Sequence, residues 1–151
     1  MKNLCALMVV LLGGCAGDAT KPDYEAQEES IDQILTQPLA ENEYAEQVRC
    51  LATYSYNSVE VLDSRHIVFK GPGGRYWLNR LRNRCLGLRR NDTLKFELRT
   101  SQICDLDTFE AVSIAIGSPT RTSAICSLGN FTPMTKDQLG AVKAALERVE
   151  E

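Results

Sequence analysis

His66 is the only histidine in the 151-residue chain, and an imidazole is the side chain best suited to moving protons near neutral pH. A Ser–His–Asp or Cys–His arrangement would need this residue as its base. It follows Asp63-Ser64-Arg65, a turn-like stretch, and nothing nearby in the sequence supplies an obvious nucleophile. His66 is therefore expected to be a surface residue of a strand. The stretch CDLDTFE offers a second group, Asp105, Asp107 and Glu110. Asp105 and Asp107 would share one face of a strand, and paired carboxylates can do acid–base work or hold calcium. A calcium loop repeats oxygen ligands and carries a glycine, and this stretch does neither. Structural hydrogen bonding or solvation is the expectation for all three. No catalytic residue, metal or cofactor is expected.

The strongest chemical bias is cationic. Between Arg75 and Arg99 stand eight bases, seven of them arginine, interrupted by Asp92 and Glu97. The planar fork of arginine suits carboxylates and phosphates. Arg75, Arg80, Arg82, Arg84, Arg89 and Arg90 are the candidate anion-binding residues. The competing reading is a solvated face, partly neutralised by acids elsewhere in the chain. Tyr76 and Trp77 lie within the run, and adjacent strand residues point to opposite faces. One is expected in the core and the other exposed beside arginine.

The elements that must position these groups are mostly strands. SVEVLDSRHIVFKGPGGRYWLNRL reads as a β-meander, with Val59, Val61, Ile67 and Phe69 alternating with polar residues. Asp63-Ser64-Arg65 and Gly71-Pro72-Gly73-Gly74 are its turns, the second favoured by glycines that accept positive φ. TLKFELR supplies a fourth strand, ICDLDTFEAVSIAIG a fifth and TSAICSLGNF a sixth. Thr135 three residues before Gln138 has the spacing of a capping box. Leu139, Val142, Leu146 and Val149 then recur at helical intervals. The expected fold is mainly β (α+β): a small antiparallel barrel or rolled sheet of about six strands, closed by a C-terminal amphipathic helix.

Four cysteines accompany the strands: Cys50, Cys85, Cys104 and Cys126. Structural zinc sites bring ligands as close C-x₂₋₄-C pairs, and the spacings here are 35, 19 and 22. An even number in an exported chain reads instead as two disulfides, with three possible connectivities. An up-and-down meander favours Cys50–Cys104 with Cys85–Cys126.

Export is read from the N-terminus. Lys2 precedes a run from Leu4 to Leu12 without charge, and polar sequence begins at Asp18. Spanning a bilayer takes about 20 apolar residues, so this run has the character of a secretory signal. Leu12-Gly13-Gly14-Cys15 resembles the lipobox of bacterial lipoproteins. The resemblance implies that Cys15 is acylated and becomes the first residue of a 137-residue mature chain. Ala16 and Gly17, where inner-membrane lipoproteins often carry Asp, imply the outer membrane, facing the periplasm.

Charge divides the remainder. Residues 16–48 hold nine acids and one base, whereas residues 49–151 hold 15 bases and 11 acids. The expected organisation is a signal over 1–14, a lipidated acidic tether over 15–48, and a disulfide-stapled β-rich domain over 49–151. The tether suits a solvated arm. SIDQIL is expected to form a transient helix ended by Pro38, with a segment that docks on the domain as the alternative.

VLDSRHIVF (61–69), GGRYWLNRL (73–81), CLGL (85–88), ICDLD (103–107) and CSLGNFTP (126–133) together resemble a family of small uncharacterised proteobacterial lipoproteins. Leu86 departs from the proline that often follows this cysteine in the family. The resemblance implies class and location and carries no catalytic residue. The expected function is thus a lipid-anchored, non-enzymatic binding or accessory module of the cell envelope. Its membrane contact is the N-terminal lipid, its partner an anionic envelope component or an acidic protein, and nucleic acid is not expected. The alternative, by analogy of architecture alone, is a proteinaceous inhibitor of an envelope-attacking enzyme such as lysozyme, acting through the loops Lys70–Gly74 and Gly117–Thr120.

Overall fold

In chain order the elements are α1 (Tyr24–Leu35), β1 (Cys50–Ala52), β2 (Ser58–Val61), β3 (His66–Lys70), β4 (Tyr76–Arg80) and β5 (Thr93–Phe96). They continue with β6 (Gln102–Cys104), β7 (Thr108–Ala115), β8 (Ser118–Arg121), β9 (Cys126–Ser127), β10 (Phe131–Met134) and α2 (Lys136–Glu147). The computed structural model describes residues 24–37, 39, 46–98, 100–115 and 118–148. The signal-like run, Cys15, Pro38, Glu41, Glu43, Arg99, Gly117 and Val149 lie outside the described residues.

The Gly71–Gly74 turn sets the register of the first sheet. Gly73 and Gly74 take φ of 70° and 75°, a region glycine enters without steric cost. Lys70 then pairs with Tyr76, Phe69 with Trp77 and His66 with Arg80. With β2 beside β3 and β10 beside β4, the sheet runs β10-β4-β3-β2, antiparallel throughout.

The expected closed barrel or single rolled sheet of about six strands does not form. The described residues make ten short strands in three antiparallel sheets: the one above, β5-β7-β8 with β9 also on β7, and the pair β1-β6. The reason lies at Asp105–Asp107. Leu106 turns to φ 75°, and the Asp107 carboxylate accepts from the Cys104 backbone N–H at 2.7 Å. One apolar run is thereby cut into β6, which pairs with β1, and β7, which centres a different sheet.

Strand alternation then builds two cores. Ile67, Phe69 and Trp77 face the second sheet and join Phe109, Phe131 and Leu128. Phe69 meets Phe131 and Tyr56 edge-on at 5.1 and 5.0 Å. Val68 and Leu78 point the opposite way and pack with Ile31, Leu139, Val142 and Leu146 of the two helices. Trp77 is thus the core member of the pair, while Tyr76 is half-buried under the helices rather than exposed beside arginine. Burying such side chains contributes about 1.5–3 kcal/mol each.

Helix α2 begins at the capping box: Thr135 Oγ1 accepts from the Gln138 N–H at 3.1 Å, and Gln138 Oε1 accepts from the Thr135 N–H at 2.7 Å. Gln138 Nε2 also donates to the carbonyls of Ile34 and Gln37, which the end of α1 leaves unpaired. Gln27 Nε2, at the other end of α1, reaches the Leu146 carbonyl at 3.5 Å. The helices therefore lie antiparallel. The solvated arm expected over this stretch is instead, from Tyr24 to Leu35, a docked helix with Ile31 fully buried.

Two disulfides tie the sheets. Cys50–Cys104 joins directly opposed residues of β1 and β6. Cys85–Cys126 joins the loop after β4 to β9. They close loops with separations of 54 and 41 residues, each contributing roughly 4 kcal/mol on the chain-entropy account.

Candidate functional site

The end of β3 and β4 remote from the glycine turn gathers the ionisable groups. Asp63 opens the site. Its Oδ1 accepts from the Arg65 and His66 N–H groups at 2.7 and 2.6 Å, closing the β2–β3 turn as an Asx motif. That turn aims His66 at the helix side of the sheet, where α1 covers it. His66 is fully buried rather than a surface residue. Its Nδ1 lies 3.0 Å from Asp63 Oδ1 and its Nε2 3.4 Å from Glu28 Oε2 of α1. Glu28 also takes Arg80 Nε at 3.0 Å and Arg65 Nε at 3.3 Å. One turn along α1, Asp32 takes Arg80 Nη2 at 2.6 Å.

Burial works against charge on all three central groups and is outweighed. The Glu28 carboxyl is desolvated, yet the His66 hydrogen bond and charge, with Arg80 and Arg65, hold it below its ordinary value of 4.5. Asp63 is likewise held low, burial being overcome by His66 and the two backbone N–H groups. Burial pushes the His66 imidazole down, but its two carboxylate partners push it above 6.5. The ring is fully buried under α1 with a carboxylate near each nitrogen, so in this state it is closed to a substrate.

Beside this network the surface is concave. A cavity of about 360 Å³ is lined by Arg49, Arg65, Arg80 and Arg82, with Leu81, Gly129, Asn130 and Asp105. Asp105 is held bidentate by Arg49 at 3.1 and 3.2 Å. Arg82 is exposed and has no ion pair among the described residues. The floor is fixed from below. Buried Asn79 donates from Nδ2 to the Gly129 carbonyl at 2.7 Å and accepts the Gly129 N–H at 2.9 Å. Gly129 lies so close to β4 that a Cβ there would come within 2.1 Å of the Arg80 carbonyl.

The arginine run is therefore not one face. Arg80 and Arg82 line this concavity. Arg84, Arg89 and Arg90 line a second groove of about 480 Å³, where Arg84 covers the Tyr24 ring at 3.4 Å and Arg90 pairs with Glu147 at 3.2 Å. Arg75 sits at the far end of β4, bonded to the Pro72 carbonyl, with the Lys70–Gly74 loop. Arg49 and Arg65 were missed because they precede the run. Strand register is the signal that finds Arg65, since it flanks the His66–Arg80 pair.

The other two acids of CDLDTFE are structural. Asp107 closes its turn, and Glu110 pairs with Lys95 and Arg121. Among the described residues no group of three or more His, Cys, Asp or Glu could hold a metal ion. No described helix is long and apolar enough to cross a membrane.

The model of a family of unknown function, DUF6491, matches residues 1–150. The chain belongs to DUF6491. No curated protein and no solved structure matches it. Membership in DUF6491 spans the signal-like run, α1 and the disulfide-bonded sheets alike.

Proposed function

We propose that this DUF6491 chain is a lipid-anchored, non-enzymatic binding module of the bacterial cell envelope. Cys15 carries the lipid, the outer membrane is the anchor, and the folded domain faces the periplasm. The ligand is an anionic envelope component or an acidic protein. The observation that carries this reading is the concavity, whose wall is lined by four arginines and a single acid, Asp105, itself held by Arg49. Arginine forks at that density suit phosphate or carboxylate groups. The two disulfides fit an oxidising compartment, and the short apolar run ending at Cys15 fits export and acylation.

Calorimetric titration with tripolyphosphate and with a glutamate oligopeptide tests the reading and separates phosphate from carboxylate. Binding of either, weakening steeply between roughly 0.05 and 0.5 M salt as screening shortens, is the expected result. Absence of binding to both at low salt would overturn it.

A further inference from the structure

His66 faces a carboxylate at each ring nitrogen, as a hydrogen-bond partner at Nδ1 and as a neighbouring charge at Nε2. Asp63 Oδ1 already accepts two backbone N–H groups when it meets Nδ1 at 3.0 Å, so Nδ1 carries a hydrogen. Nε2 faces Glu28 Oε2 at 3.4 Å. The guanidiniums of Arg80 and Arg65 keep that carboxylate ionised; Nε2 and Glu28 Oε2 are both buried without a hydrogen bond, so a lone pair on Nε2 would face the carboxylate's charge at close range, whereas an N–H there is attracted to it. A neutral imidazole has only one N–H. A fully buried ring between two ionised carboxylates is electrostatically matched to both as imidazolium.

The groups facing His66 come from every element around it. Glu28, and Asp32 through Arg80, come from α1; Asp63 and Arg65 from the β2–β3 turn; Arg80 from β4. Arg84, in the loop after β4, lies 4.0 Å from Asp63. Losing the ring proton leaves three carboxylates facing three guanidiniums, so overall charge stays balanced. The damage is local: a lone pair replaces an N–H against Glu28. Glu28 then keeps Arg80 and Arg65 but loses one of the attractions that join α1 to the sheet, where Asp32–Arg80 and buried Ile31 also hold it.

We propose that α1 is a pH-sensitive latch over the arginine concavity: doubly protonated His66 clips Glu28 to the sheet, and deprotonation releases the helix and frees Arg65 and Arg80 toward the concavity they line. In the closed state these two arginines are partly spent on the chain's own acids, so α1 acts as an internal competitor for an anionic ligand. That coupling rests on the binding function proposed above, whereas the latch stands without it.

The direction of the switch follows from the proton affinities. His66 binds its proton more tightly in the docked state than an ordinary histidine near 6.5. The clip is at full strength below that value. It weakens as pH rises from there to the docked-state pKa, the opening constant growing about tenfold per pH unit within the window. Glu28 and Asp63 are shifted down from 4.5 and 3.8, so the acid side holds until pH falls through their docked values. Release is local, because both disulfides join residues between 50 and 126 and none reaches α1.

Because His66 is the only histidine, the ¹⁵N-labelled, disulfide-intact chain gives a single imidazole spectrum. Both ring nitrogens should be protonated below a single titration midpoint that lies above 6.5. Amide exchange over residues 24–35, corrected for its intrinsic pH dependence, should accelerate as pH rises from about 6.5 to that midpoint and level off above it, while β3 and β4 stay protected. Glu28→Gln should lower the midpoint, and Asp32→Asn, which does not touch the ring, should shift it less. A midpoint at or below 6.5, or α1 protection unchanged as pH rises to the midpoint, would overturn the latch. Tripolyphosphate affinity should rise through the same midpoint, and a flat profile would overturn the coupling. No binding at any pH, with the α1 transition present, would remove the binding function and leave the latch standing.

Discussion

Asn79→Ala removes the support beneath the concavity. The Asn79 side chain is fully buried and makes two hydrogen bonds to one residue, donating to the Gly129 carbonyl and accepting the Gly129 N–H. A neutral hydrogen bond contributes about 1 kcal/mol net, and a buried group left unpaired costs about 1–3 kcal/mol. Alanine strands a donor and an acceptor together, so the loss should be about 3–4 kcal/mol. For a chain of this size that corresponds to a fall in Tm of about 10–15 °C. Thermal unfolding of the oxidised protein, followed by circular dichroism, measures it. Asn79→Asp is an informative companion. It keeps an acceptor for the Gly129 N–H but sets a carboxylate against the Gly129 carbonyl. It should be the worse variant at neutral pH and recover in acid, where the protonated carboxyl donates. An Asn79→Ala protein within about 0.5 kcal/mol of wild type would refute the reasoning, because two stranded backbone groups cannot be so cheap.

Two further outcomes follow from the cross-links and ion pairs. Replacing Cys85 and Cys126 together by alanine should cost roughly 4 kcal/mol, read as a lower urea midpoint, with the Cys50–Cys104 bond still forming. Glu60 is partly buried between Lys143 at 2.6 Å and Lys70 at 2.7 Å; burial raises its pKa, but the two lysines hold it below 4.5. Its contribution is therefore present above that value and lost as pH falls through the lowered one. Glu60→Gln should flatten the acid limb of stability against pH, and an unchanged limb would contradict the assignment.

The strands from Ser58 to Arg80 were legible because period-two alternation and a glycine turn fix both the elements and their register. The same alternation places His66 on a face but does not say what covers that face. The cover is α1, whose short apolar set in SIDQIL cannot distinguish a docked helix from a solvated one. What decides it are contacts across long stretches of chain: Glu28 with His66, Gln27 with Leu146, Gln138 with Ile34 and Gln37. The barrel expectation failed for a related reason. An apolar run gives no sign that Leu106 will turn to positive φ and send its two halves to different sheets. Counting arginines along the chain overstated one patch, since successive strand residues diverge and the loop after β4 carries Arg84, Arg89 and Arg90 away. Arg65 was recoverable by counting back from Gly71–Gly74. Arg49 was not, since it reaches the concavity through the β1–β6 pairing.

The central claim is that the concavity binds anions, and its most direct test is positional. Arg49→Ala with Arg82→Ala removes two guanidiniums from the concavity, both on exposed side chains. Arg75→Ala removes a charge from the opposite end of β4. Titrated with tripolyphosphate at low salt, the double variant should lose at least about tenfold in affinity, or about 1.4 kcal/mol, while Arg75→Ala stays close to wild type. Equal losses per charge removed from the two ends would mean that net charge alone attracts the anion, and would contradict a built site.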